Sequence, residues 1–130
     1  MINDNYRDKF NLKLRTKRFA HDCVKLASNL PNNSLCNNIK SQLNRSATSV
    51  ASNYRATCLS QSKKAFIAKI SIVIEEVDES AFWIEFLIEE NIITSDSVKI
   101  ILDEAYELTS IFIASRKTAS NSLKESIINK

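Results

Sequence analysis

The chain has 130 residues, 44% of them hydrophobic and 25% charged, with no Gly, one Pro and a formal net charge of +3. One domain of this length can bury a core without disulfides or metal. The lack of Gly excludes phosphate loops and dinucleotide-binding loops and argues against tight hairpins, which leaves helices joined by short turns.

Residues 1–10, MINDNYRDKF, are polar and weakly patterned and are expected to form a loose arm; residues 1–20 hold no uninterrupted apolar segment of the signal-peptide kind. A first helix is expected from about Leu12 to Leu30, with Leu12, Phe19, Cys23, Leu26 and Leu30 on one stripe and Ala20, Val24 and Ala27 beside it. Pro31 in LPNN stops it. A second helix spans about Ser34 to Cys58, with Ile39, Leu43, Ala47, Val50 and Tyr54 inward. LSQS makes the next turn, with Ser60 or Ser62 as N-cap.

The third helix has the clearest pattern. Ile67, Ile70, Ile74, Val77, Ala81, Ile84 and Ile88 step by three and four, a heptad seam that ends near Asn91, a residue tolerant of the left-handed conformation. Thr94 or Ser95 caps a fourth helix whose seam is Val98, Ile101, Ala105, Leu108, Phe112 and Ser115. Beyond Arg116 the polar run KTASNSLKESIINK is expected to fray, so that residues 117–130 form a tail. Four long helices with short connections predict an all-α, antiparallel up-down-up-down four-helix bundle in one domain.

The third helix is richer in apolar residues than a bundle requires. Phe66, Val73 and Leu87, with Ile72, Phe82, Trp83 and Phe86, lie outside the seam, whereas a bundle helix needs roughly three apolar positions per heptad. Either flanking segments cover the surplus or a second copy does, and self-association is the expectation. The acidic residues in this stretch and in AFWIEFLIEE exclude a membrane span. Three cysteines, Cys23, Cys36 and Cys58, are odd in number and far apart. They read as small buried side chains in a reducing cytoplasm, not a disulfide framework.

Charge is uneven. Residues 1–69 hold 13 Lys or Arg against 3 Asp or Glu, and residues 70–130 hold 5 against 12. Such polarity attracts a polyanion to one half, pairs neighbouring copies, or is neutralised inside the chain. Catalysis is hard to build: His21, Asp22 and Cys23 are adjacent and fan to different sides of a helix. A di-iron site needs Glu-x-x-His on two helices, and the chain has one His. No cofactor or metal is expected, and the chain is read as a non-enzyme.

SATSVASNYRATC, residues 46–58, places small side chains where a helix comes close to a bulky neighbour, and its hydroxyls can return to the backbone one turn back. From Arg45 to Ile93 the chain resembles the bacterial four-helix-bundle family of proteins encoded by intervening sequences in large-subunit ribosomal RNA genes. The shared pattern falls on Arg45, Ser49, Val50, Asn53, Tyr54, Arg55 and Ala56, then Ser62, Lys63, Phe66, Ile67 and Lys69. Glu75, Glu76, Asp78, Glu79, Trp83 and Glu85 complete it. Departures are Ala47 and Ala51, where Gly or Pro is common, and Asn91 in place of a turn Gly. The resemblance implies a homopentameric ring. For one branch, accessory proteins of diversity-generating retroelements, it implies a basic pentamer that binds nucleic acid, RNA or DNA, and a reverse transcriptase. The ribosomal part of the family's name reflects gene location, not ribosome binding.

Three residue sets follow as candidates. Lys13, Arg15, Lys17, Arg18, Lys25, Arg55, Lys63 and Lys64 form a phosphate-facing set, with Arg7 and Lys9 in the arm; its contacts would be backbone-directed and poorly sequence-selective. Tyr54, Phe66, Val73, Phe82, Trp83 and Phe86 form an oligomer-interface set. Arg45, Arg55, Lys69, Glu75, Glu76 and Glu79 form an ion-pair network, within a chain or between chains, with an anion site as the alternative. The competing function is a protein-interaction scaffold whose charges serve subunit assembly and which has no nucleic-acid role.

Overall fold

The computed structural model describes residues 11–129, and the expected arm lies outside them. Among the described residues four helices follow one another: α1 Leu12–Ser28, α2 Ser34–Thr57, α3 Lys63–Glu89 and α4 Ser95–Ile128. Each begins where a short polar side chain accepts from a backbone N–H of its first turn, a group with no partner inside the helix. Asn11 accepts from Leu14, Asn33 from Cys36, Ser62 from Ala65 and Thr94 from Ser97. Of the two expected cap pairs, Ser62 and Thr94 serve. α1 stops at Ser28, short of Leu30.

α3 ends in a glycine-free Schellman turn. Asn91 takes φ 58°, the amide of Ile92 donates to the carbonyl of Leu87 (3.0 Å), and that of Asn91 donates to Ile88 (2.9 Å). Asparagine tolerates that conformation because its short polar side chain lowers the penalty other residues meet there.

The antiparallel order puts α1 along α2, α2 along α3 and α3 along α4, while α1 meets α4 over a shorter stretch. The main core is built from Phe19, Cys23, Leu43, Ala47, Val50, Ile70, Val73, Val77, Ile84, Ala105, Leu108 and Phe112. A second cluster of Leu30, Cys36, Ile39 and Leu87, flanked by Trp83 and Phe86, closes the end at which α1 and α3 terminate. Cys58 is exposed, contrary to the expectation of three buried thiols; Cys23 and Cys36 are buried.

Two expectations about the long helices change. The buried stripe of α3 is Ile70, Val73, Val77, Ser80–Ala81, Ile84 and Leu87, so the seam is rotated toward Val73 and Leu87. Ile67, Ile74 and Ile88 sit at its partly buried margins. The segment after Arg116 does not fray: α4 runs unbroken to Ile128. Lys63 reaches across to Ser122 (Nζ to Oγ 2.5 Å), and the Arg116 guanidinium donates to the Ser71 hydroxyl at 3.3 Å.

The small residues of α2 divide between two jobs. Ser46 and Ala47 face inward, and the Ser80 hydroxyl meets the Ser46 hydroxyl at 2.9 Å with both side chains wholly buried. The partner at the point of closest approach is therefore another small residue, not the bulk expected of α3. Thr48, Ser52 and Thr57 return their hydroxyls to carbonyls three or four residues back. With Ala51, the exposed Thr48 and Ser52 leave a low surface on the outer side of α2.

Candidate nucleic-acid interface

That low surface faces α1 across a groove of about 770 Å³, lined by Asn11, Lys13, Leu14, Lys17, Ala20, His21, Val24, Thr48, Ala51, Ser52 and Arg55. Lys13 and Lys17 stand one helical turn apart, roughly 6 Å along the axis. Arg55 approaches from the end of α2. Leu14, Ala20, Val24 and Ala51 supply an apolar floor, and among the described residues no carboxylate lines the groove. The arrangement offers cations to an extended anionic chain and offers no acid to repel it.

Other expected members of the phosphate-facing set go elsewhere. Arg15 is buried: its Nε donates to Glu104 Oε2 at 3.0 Å, its Nη2 lies 2.5 Å from Glu104 Oε1, and Glu107 Oε1 is 3.3 Å away. The hydrogen bond to Glu104 raises the Arg15 pKa against the opposing effect of burial. This guanidinium ties α1 to α4 and is not presented to solvent. Arg18 lines a cleft with Asp22, Asp103, Glu104 and Glu107, an acidic environment. Lys25 is exposed in the last turn of α1, where a cation complements the helix dipole. Lys63 and Lys64 are exposed at the start of α3.

The expected interface set is largely consumed within the chain. Val73 is fully buried, Tyr54 packs on Phe112 with ring centroids 5.2 Å apart, and Phe66 packs against the core. Burial, followed by the hydrogen bond to Cys58, holds the Tyr54 hydroxyl well above its ordinary pKa. Trp83 and Phe86 are half-buried against the second cluster and join Phe82 in a chain of ring contacts at 5.0 to 6.2 Å. Only Phe82, 50% exposed, and Ile72, 43% exposed, remain as large open apolar residues on α3.

Of the ion-pair set, Arg45, Glu76 and Glu79 come together between α2 and α3. Arg45 lies 3.2 Å from Glu76, bonds Glu79, and shares Glu79 with the Trp83 indole. Arg55 is nearly three turns further along α2 and joins the groove instead. Among the described residues, neither Lys69 nor Glu75 forms an ion pair. His21, Asp22 and Cys23 diverge: His21 lines the α1–α2 groove, Asp22 the acidic cleft, and Cys23 is buried. Burial, with the charge of Asp22 adding to it, pushes the Cys23 thiol up to about 12. Among the described residues no group of three His, Cys, Asp or Glu could hold a metal ion.

Charge is separated along the bundle axis. Segments 11–21, 48–74 and 113–129, around the α2–α3 turn, hold eleven Lys or Arg and one Glu. Segments 22–47 and 75–112, toward the other end, hold four Lys or Arg and twelve Asp or Glu. Antiparallel packing does this by bringing Arg116, Lys117 and Lys124, from the acidic half of the sequence, back beside Lys63 and Lys64. Lys117 and Lys124 were missed by taking residues 117–130 as a tail, and Arg116 by standing at its edge. The legible signal was the spacing of residues 116, 120 and 124, one turn apart, on a continuing helix.

Residues 9–114 match the model of the 23S rRNA-intervening sequence protein family. The chain belongs to this family. A crystal structure from Bacteroides thetaiotaomicron VPI-5482, described as a protein with unknown function from the S23 ribosomal protein family, is 28% identical with a TM-score of 0.74. The match covers 82% of this chain and 98% of that one. No curated protein sequence matches. In this intervening-sequence protein α4 runs fourteen residues past the matched range, to Ile128. Among the described residues no helix is long and apolar enough to cross a membrane.

Proposed function

We propose that this intervening-sequence protein is a non-enzymatic, self-associating bundle that binds the phosphate backbone of nucleic acid in the α1–α2 groove. One observation carries the reading: Lys13, Lys17 and Arg55 line a single concave surface to which no acid among the described residues contributes. Among the described residues the groove has none of the aromatic strands or knuckles that read bases, so binding is insensitive to sequence. Replacing Lys13 and Lys17 by Gln should weaken RNA or DNA binding and flatten the dependence of log K on log salt by about 1.4 for single strands. Wild-type protein that retains no nucleic acid at low salt would sink the reading.

Self-association is supported by Ile72 and Phe82, exposed on an α3 face that also carries the exposed Glu75, Asp78 and Glu89. Copies meet through this acidic, part-apolar face and leave the α1–α2 groove open to nucleic acid; five copies is the order the resemblance implies. Light scattering at tens of micromolar should give a multiple of the 14.7 kDa chain mass, and Phe82→Glu should reduce it. The scaffold alternative makes the opposite prediction for the groove: Lys13 and Lys17 substitutions would then lower the assembled mass and leave nucleic acid unbound throughout.

A further inference from the structure

The α3–α4 side carries a second groove with the same chemistry. It has a volume of about 350 Å³ and is lined by Ile67, Ile113, Arg116, Lys117, Ser120, Asn121 and Lys124. Three cations again surround an apolar floor, and among the described residues again no carboxylate takes part. Arg116 is held in place by its hydrogen bond to Ser71. Most of this groove comes from residues beyond the range shared with the family.

In the cyclic order α1, α2, α3, α4 the two grooves lie on opposite sides of the bundle. Arg55, at the end of α2, opens the path out of the first groove. Lys64 and Lys63 stand at the beginning of α3, and Lys63 already spans to Ser122 on α4. Cations therefore continue around the α2–α3 end from one side to the other, and Glu125 is the one acid among residues 113–129.

From this placement we infer that the preferred ligand is single-stranded nucleic acid, which bends around the basic end of the bundle and occupies both grooves. The inference rests on the proposed phosphate binding in the α1–α2 groove and adds the strandedness of the ligand and a second site on α4. A duplex is stiff over some 150 base pairs, so it can lie against one side of a bundle but cannot turn through to the opposite one. A single strand can follow the curve, and each phosphate contact adds to its affinity and salt dependence.

The test uses the full chain with a fluorescent oligonucleotide as a single strand and as the matching duplex, across a salt series. Lys117→Gln with Lys124→Gln is compared with Lys13→Gln with Lys17→Gln. Circular dichroism melts check that both variants are folded; the four lysines are exposed. The inference expects the single strand to bind more tightly than the duplex. The Lys117 and Lys124 pair should flatten the single-strand salt slope by about 1.4 and leave duplex binding unchanged. Single-strand binding that ignores Lys117 and Lys124 but responds to Lys13 and Lys17 overturns this inference and leaves the first groove standing. Equal loss on duplex and single strand overturns the wrapped path. Absence of binding by the wild type overturns both readings. Binding to phosphatidylserine vesicles that depends on Lys117 and Lys124, with no effect of those lysines on oligonucleotides, assigns the second groove to a membrane surface and also overturns it.

Discussion

Ser46 and Ser80 show how small polar residues set the spacing of two helices. Ser80 donates to the Glu76 carbonyl or meets Ser46, while Ser46 has only a 3.4 Å contact with Leu43 as an alternative. Losing the Ser80 hydroxyl leaves that of Ser46 in a dry contact with only the long Leu43 alternative, at a cost of about 1 kcal/mol or more, whereas losing both is nearly neutral. Urea unfolding of Ser46→Ala, Ser80→Ala and the double variant should therefore show a double that is less destabilised than the sum of the singles. A strictly additive cycle would mean that the two hydroxyls are not partners. Cys23 supplies a prediction in pH. The unfolded chain releases this proton near the ordinary 9.0 and the folded chain at about 12. The folded state thus binds more protons in that window, and stability falls as pH rises through it. Tyr54, raised for the same reason, extends the loss above its ordinary value. Cys23→Ala should flatten the alkaline limb of a stability–pH curve, and an unchanged limb would refute the assignment.

Among the elements, α3 explains why apolar surplus is a poor guide to an interface. Its seven-residue spacing admits two neighbouring seams, one through Ile67, Ile74 and Ile88 and one through Val73 and Leu87. The spacing of a single helix cannot say which faces the centre. The neighbours choose: Ser80 must sit inward to meet Ser46, and that rotation buries Val73 and Leu87. α1, the shortest helix, depends on a polar tie. Removing Glu104 takes the closest carboxylate from the buried Arg15 guanidinium, which should destabilise the fold by about 3 kcal/mol, the low end of the range for a broken buried pair. Arg15→Met with Glu104→Leu should recover most of that loss. Denaturant midpoints measure both, and a Glu104→Ala protein as stable as wild type would show that the pair is dispensable.

For the whole molecule the decisive property is the axial separation of charge. A basic end with twelve acids toward the other presents a directed field, which would steer an approaching polyanion to the α2–α3 turn and keep it from the opposite end. The two grooves proposed to receive it differ in origin. The first uses α1 and α2 within the family-matched range, and the second uses the continuation of α4 beyond it. Salt dependence belongs to this scale, because it counts phosphates neutralised over the entire surface and not the strength of any one contact.

Periodicity and the lack of Gly were enough to determine four helices, their turns within a few residues, and the antiparallel bundle, because those features depend on spacing along one chain. The pattern from Arg45 to Glu85 was enough to reach the family. Which cations share a surface was decided only by the tertiary structure. Arg15 and Lys17 are two residues apart, yet one is buried against Glu104 and the other lines a groove. Lys63 and Ser122 are 59 apart in the chain and touch. Antiparallel packing folds distant segments onto one end, and no count of charge along the sequence contains that superposition.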